Sequence, residues 1–237
     1  MRDREIDEML RRAAGAQPEV DPALLDRVSA SIQPSLGPVR PLPPRWVLVS
    51  GLFLISEAVA LTGAFTLGLY GIGKLSAPEI ALIFPVLGIF TWLAAMGSAS
   101  ETAPGSRHLV APAFLLAIGS LSLAAIFAVL FHDYRLERFV SQGLACLAAG
   151  LLHALPAALA GWLVLRRGFA VNPVAAGLAA GTLASLAGVT MLELHCPNLK
   201  AAHVMLWHTG VIPVSALAGA LVGWARHARR TTVRRRT

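Results

Sequence analysis

The sequence predicts an all-α membrane protein with six transmembrane helices, preceded by a short amphipathic tail. The chain has 237 residues, of which 56% are hydrophobic and only 14% are charged. A soluble domain usually carries about 25% charged residues. Six apolar segments are each long enough to cross about 30 Å of hydrocarbon, which takes roughly 20 helical residues. This composition argues against an ordinary soluble enzyme, a disordered chain or a secreted disulfide scaffold.

The six segments are rich in Leu, Ala, Val and Ile, and none alternates apolar and polar residues as a membrane β-strand does. We therefore predict helices, and no cleavable signal peptide, because the first apolar run begins only at Trp46. The chain then divides into a tail at 1–45, a membrane domain at 46–224 and a basic tail at 225–237. The predicted spans are Trp46–Tyr70, Ile80–Ser98, Leu109–Phe131, Val140–Leu165, Pro173–Leu194 and Val204–Trp224.

Lysine and arginine are distributed unequally between the two sides of this arrangement. Sixteen of the 20 lie on the side of the two termini. Because cytoplasmic segments carry the excess of basic residues, both termini are predicted to be cytoplasmic. The C-terminal arginines lie close to anionic lipid headgroups, so we expect contact with the lipid bilayer and no direct nucleic-acid binding. The four basic residues on the other side are Lys74, Arg135, Arg138 and Lys200.

The N-terminal tail contains two short amphipathic patterns and then a spacer with five prolines in Gln33–Pro44. Asp21 can cap the second helix, with Pro22 at its first position. Helices this short are unstable alone, so each apolar stripe needs a partner surface or the tail stays frayed and solvated. A helix-in-groove contact with a cytosolic protein is the alternative. The stripes comprise Ile6, Met9 and Leu10, then Leu25, Val28 and Ile32.

Two polar residues, Glu57 and His153, fall near the predicted middle of the membrane. A carboxylate at that depth should be protonated, paired or hydrated, so we expect contact between the two side chains. The pair is either interhelical polar glue, which we favour, or a proton-sensitive signalling pair.

The predicted topology places two cysteines and three histidines at one level on the side opposite the termini. That side lies outside the cytoplasm, in a compartment that permits disulfides. Three interpretations stay open: a Cys146–Cys196 disulfide, a soft-metal site for Zn or Cu(I), or simple packing. On an α-helix, residues five apart do not share a face cleanly, which weakens a joint role for two of the histidines. The set comprises Cys146, Cys196, His195, His203 and His208.

The sequence contains no Walker A loop, GxSxG, HExxH or dinucleotide-binding fingerprint. We therefore predict no enzyme, no small-molecule substrate and no cofactor, except for a candidate soft metal at Cys146 and Cys196. Two rival functions remain. One is a small metal or proton-coupled permease, with Glu57, His153 and His208 along its path. The other is a membrane enzyme using His203 and His208.

The chain resembles the NrsF-type membrane anti-sigma factors, negative regulators of extracytoplasmic-function sigma factors. The resemblance covers nearly the whole chain and rests on six membrane helices, an Ala/Gly-rich fifth segment and four short motifs. It implies a bacterial inner-membrane protein whose tail sequesters a sigma factor, without a zinc motif in the tail, and whose outer cysteines sense a signal. The motifs are Pro-Val-Arg-Pro-Leu at Pro38–Leu42, Cys146 in Cys-Leu-Ala-Ala-Gly-Leu-Leu-His-Ala-Leu-Pro, His195-Cys196-Pro and Trp207-His208.

Overall fold

A computed structural model describes residues 5, 7–9, 11–12, 21–33, 42–103, 106, 110–168 and 170–234. These residues form helices and connections, and none of them forms a β-strand. The chain divides into two compact units, Met1–Pro41 and Leu42–Thr237.

The first unit contains helix α1, Pro22–Ile32. The carboxylate of Asp21 accepts a hydrogen bond from the backbone N–H of Ala23 at 2.9 Å, and Pro22 occupies the first helical position. The predicted cap is therefore confirmed. No residue of α1 is buried, and Leu25 and Val28 are 55% and 45% exposed. Met9 and Ile32 are also exposed, while Ile6, Leu10 and most of the proline-rich spacer lie outside the described residues.

The described part of the second unit contains six helices that are long and apolar enough to cross a membrane, which confirms the predicted fold class. Each begins within one helical turn of the predicted start. The last, α7, starts as Ala201–His203, passes through one π-helical turn at Val204–His208 and continues as Thr209–Arg234. The others are α2 Arg45–Leu67, α3 Ala77–Ser100, α4 Pro112–Leu130, α5 Phe139–Leu165 and α6 Pro173–His195.

Local sequence explains where two of these helices start. Ser76 and Glu79 form a capping box on α3, in which Glu79 accepts hydrogen bonds from the Ser76 backbone N–H and hydroxyl at 2.6 and 2.7 Å. Asn172 caps α6 by accepting from the N–H groups of Val174 and Ala175, with Pro173 at the first helical position.

Helix α6 lies at the centre of the bundle. In its most apolar stretch 78% of residues are buried, against 22–33% in the other five helices. Small side chains permit this, because helix backbones then approach closely. A Cβ atom on Gly177 would overlap the Gly219 carbonyl of α7, and one on Gly188 would overlap the Gly150 carbonyl of α5. The glycines spaced four apart thus serve packing between α6 and α7.

The outward surface of the bundle is apolar. Large hydrophobic side chains on several helices are more than half exposed, including Phe65 at 68%, Leu121 at 71% and Leu152 at 63%. Soluble monomers rarely expose contiguous apolar surface of this extent, whereas lipid covers it without cost.

Three connections meet at one end of the bundle, which we call the cysteine end: residues 68–76, 131–138 and 196–200. The backbone N–H of Gly71 donates to the Leu194 carbonyl at 3.1 Å, and that of Ala201 donates to the Asp133 carbonyl at 2.7 Å. The four basic residues assigned to the side opposite the termini all belong to these connections. At the other end, the arginine end, Arg45 donates to the Ser100 hydroxyl at 2.8 Å.

Candidate thiol–imidazole site

Four side chains converge at the cysteine end: Cys146 of α5, Cys196 just after α6, and His203 and His208 of α7. One sulfur or nitrogen atom from each lies within 4.8 Å of all the others. We call this set the thiol–imidazole site. Two sulfurs and two imidazole nitrogens are donors that suit Zn²⁺ and other thiophilic ions.

The two thiols touch each other. Their Sγ atoms lie 3.4 Å apart, and both cysteines are free. A disulfide requires about 2.05 Å, whereas two thiolates on one tetrahedral Zn²⁺, with Zn–S of about 2.3 Å, lie about 3.8 Å apart. The observed separation is closer to the metal-bound value, and a short movement reaches either one. The geometry thus brings the two thiols into contact and agrees with each of the three interpretations, a disulfide, a metal site or simple packing.

The π-helical turn brings His203 and His208 together. The α-helical expectation places residues five apart on different faces, at about 140°. In the π turn the backbone pairs i with i+5, so the chain winds less per residue and these positions align. The two rings meet edge to face with centroids 5.2 Å apart, and His203 Nε2 lies 3.6 Å from Cys196 Sγ. The expectation that these histidines do not share a face was wrong.

Glu193 is the one residue at this site that the sequence analysis missed. Its Oε1 accepts a hydrogen bond from His208 Nδ1 at 2.6 Å, and both side chains are completely buried. An acidic residue within an apolar helix, three positions before a cysteine, was the available signal. Its partner lies on another helix and was not visible in the sequence.

The site is largely closed to solvent. Cys196, His203 and His208 are buried, and Cys146 is half-buried. Contact with the Cys146 thiol and burial raise the pKa of the Cys196 thiol. A bound metal would therefore have to displace a proton there. Several buried polar atoms at the site have no hydrogen-bond partner, a pattern that points to an absent ligand. They are Glu193 Oε2, His203 Nδ1 and His208 Nε2.

His195 is adjacent to Cys196 in sequence but does not join the site. Its Nδ1 hydrogen-bonds the carbonyl oxygen of Gly68 at 2.8 Å, and its ring packs against Tyr70. Gly68 ends α2 with φ of 100°, a conformation that favours glycine. His195 thus joins the connection 68–76 to the end of α6.

Glu57 and His153 do not form the expected contact. The Glu57 carboxyl group interacts with Thr91 of α3, while His153 Nδ1 bonds the Ala149 carbonyl of its own helix at 2.9 Å. His153 instead packs against Gly63, where an added Cβ would lie 2.6 Å from the ring. Gly63 is about 9 Å further along α2 than Glu57, so the depth estimate placed His153 too near that carboxyl group.

The polar residues of the permease hypothesis are also dispersed. A cavity of about 450 Å³ is lined by His153 but not by Glu57 or His208. His208 is engaged by Glu193 at the cysteine end. The three side chains therefore have separate partners in the described part of the chain.

A family model described as NrsF, negative regulator of sigma F, matches residues 34–226. The chain belongs to the NrsF family. The resemblance inferred from the sequence motifs is thereby confirmed, and it supports a role as a negative regulator of a sigma factor. The match contains the whole thiol–imidazole site and begins after α1. No curated protein and no solved structure matches the chain.

Proposed function

We propose that this NrsF-family chain is a membrane-embedded anti-sigma factor of the bacterial inner membrane, a regulator and not an enzyme. Its N-terminal tail holds an extracytoplasmic-function sigma factor, and a redox or soft-metal signal at the cysteine end releases it. The convergence of Cys146, Cys196, His203 and His208 supports this proposal most directly, because it provides a chemically reactive site in a bundle that belongs to a regulatory family.

The tail is the proposed sigma-binding element. The apolar side chains of Leu24, Leu25 and Val28 are about half exposed on α1, a helix of 11 residues that is too short to be stable without a partner. Amphipathic helices of this kind bind apolar grooves through residues at i, i+3 and i+4 spacing. Met9 and Ile32 extend the proposed contact surface, and Ile6 and Leu10 stay predictions.

The proposed orientation places sigma-factor binding and signal sensing on opposite sides of the membrane. The basic residues favour a cytoplasmic arginine end, where the chain enters α2, and an extracytoplasmic cysteine end. Helices α6 and α7 both run between these ends, and their backbones touch at Gly177 and Gly219. Such close packing transmits a displacement at one end as a rigid-body movement, because packed interfaces are not continuously deformable.

Capture of the sigma factor by the full-length chain tests the proposal. We expect affinity purification from host membranes to recover one sigma factor with the natural sequence. Replacing Leu25 and Val28 together by Asp places two charges on the apolar stripe and should abolish recovery. The matched control carries Ala23→Asp and Ala30→Asp, which add the same charge on the opposite side of α1 and should retain recovery.

Equal recovery of the sigma factor by both double variants would contradict the tail contact. Failure of the natural sequence to recover any sigma factor would contradict the anti-sigma function itself.

A further inference from the structure

The carboxylate of Glu193 has no role in the function proposed above, yet Glu193 is the most completely buried acid among the described residues. Its side chain has 0% exposure, and its Oε1 lies 2.6 Å from Nδ1 of the equally buried His208. A buried carboxylate is costly unless its partners compensate for the lost hydration. Only one of its two oxygens has a partner.

The hydrogen bond determines which nitrogen of His208 is free. Because Nδ1 donates to the carboxylate, a neutral imidazole carries its proton there and presents the Nε2 lone pair. His208 Nε2 is buried and makes no hydrogen bond of normal geometry, and the His208 imidazole lies close enough to the Cys196 thiol to interact with it. Carboxylate–histidine pairs of this kind orient metal-ligating imidazoles and increase their basicity.

We propose that Glu193 is the positioning residue of the thiol–imidazole site. It holds His208 with Nε2 free to bind, so that this nitrogen completes a four-donor set with His203, Cys146 and Cys196. The set suits a thiophilic ion with tetrahedral preference, of the Zn²⁺ or Cu⁺ class. The inference rests on the proposed sensing role of this site and deepens it, because it favours a metal as the ligand.

Two simpler roles explain less of the geometry. A disulfide between Cys146 and Cys196 needs neither imidazole nor carboxylate. A purely structural ion pair between Glu193 and His208 should have its remaining atoms satisfied, because a buried pair repays its desolvation only through such additional hydrogen bonds. Instead Glu193 Oε2 has no partner, and His208 Nε2 makes no hydrogen bond of normal geometry. A metal at Nε2 accounts for one of these atoms and for the nearby thiols.

Cobalt(II) is a suitable probe, because its ligand-field bands report tetrahedral geometry and its charge-transfer bands report thiolate ligands. The reduced full-length chain in detergent should bind one Co²⁺ with both signatures, and Zn²⁺ should displace it. In Glu193→Gln and Glu193→Ala the dissociation constant should rise roughly 10- to 100-fold. The thiolate bands should persist while the ligand-field bands change, a result that mere loss of stability does not give. Glu193→Asp should recover part of the affinity.

The matched control is Glu57→Gln, which alters another intramembrane carboxyl group that lies outside the site; its metal affinity should be unchanged. Binding of Co²⁺ and Zn²⁺ by Glu193→Gln as tightly as by the natural sequence would overturn the inference, and so would absence of binding by the natural sequence. Sigma-factor capture is measured on the same preparations. Retained capture without metal binding overturns this inference alone, whereas metal binding without capture overturns the proposed anti-sigma function alone.

Discussion

Cys146 and Cys196 connect parts of the chain that are 50 residues apart, and their 3.4 Å contact joins α5 to the connection after α6. His203, at 3.6 Å from Cys196, adds α7 to the same cluster. A chemical event at one sulfur therefore acts on three elements together. This makes the thiols the residues whose replacement tests sensing most directly.

Replacing either cysteine by serine should remove the response to the signal. Serine retains approximate size but lacks the thiolate that binds soft metals or forms a disulfide. We expect Cys146→Ser and Cys196→Ser to reduce metal- or oxidant-induced expression of a sigma-dependent reporter to the uninduced level. The control is Asn198→Ser, in the same connection as Cys196. It alters an exposed hydrogen bond that Asn198 donates to Gln142 of α5, and this variant should respond normally. Normal induction in both cysteine variants would refute sensing at this site.

Only part of this site is predictable from single residues. That the two cysteines and three histidines lie at one level could be predicted, because the distribution of basic residues and the segment lengths are strong signals. Which of them meet depends on rotation about each helix axis, about 100° per residue. That rotation includes His208 and excludes His195, although both lie at the same end.

The central helix α6 owes its position to its small side chains. Alanine and glycine let α5 and α7 approach until backbone meets backbone, at Gly188 and Gly177 respectively. Helix association in lipid depends on such packing, because lipid tails are as apolar as the side chains. The density of small residues in α6 is therefore a packing feature.

Gly177→Val should separate α6 from α7. The first added carbon would overlap the Gly219 carbonyl, which is backbone and cannot rotate away. Overpacking typically costs about 1–3 kcal/mol, and we expect a lowered midpoint in thermal unfolding of the detergent-solubilised chain. Gly88→Val is the matched control, because a Cβ at Gly88 meets nothing within 4 Å. A destabilisation no larger than that of the control would refute direct contact between α6 and α7 at this position.

The π turn of α7 is the element that most changes the interpretation of the sequence. The five residues Val204–His208 are wound less tightly than an α-helix. His203 immediately precedes this stretch and His208 ends it. The change in winding is confined to this turn, but it aligns His203 with His208. π-helical turns are often found at functional sites, and this one determines the donor set.

The orientation that we propose for the bundle rests on the distribution of charge. Along the sequence, sixteen of the 20 basic residues fall in the segments predicted to lie on the side of the termini, and four fall in the connections of the cysteine end. The structure groups the latter in three connections that contact one another, as the hydrogen bond between Lys200 and Glu137 at 3.3 Å illustrates. One membrane orientation therefore satisfies the charge rule for every connection at once.

Impermeant maleimide labelling of intact spheroplasts tests this orientation. In a chain with both natural cysteines replaced by serine, Leu136→Cys lies in an exposed connection of the cysteine end and should be labelled. Ala103→Cys lies at the exposed arginine end and should be labelled only after the membrane is permeabilised. The opposite pattern would invert the topology and place the thiol–imidazole site in the cytoplasm.

The sequence by itself determined the all-helical class, the six spans, the α1 cap and the family, because these depend on composition, period and short local motifs. Tertiary structure alone decided the pairing of Glu193 with His208, the alignment of His203 with His208 and the separate partners of Glu57 and His153. The physical reason is that apolar content and segment length determine where a helix forms. Contacts between helices depend on the axial position and the rotation of each helix. One π turn changes the rotation, and an axial offset of about 9 Å along α2 separates Glu57 from His153.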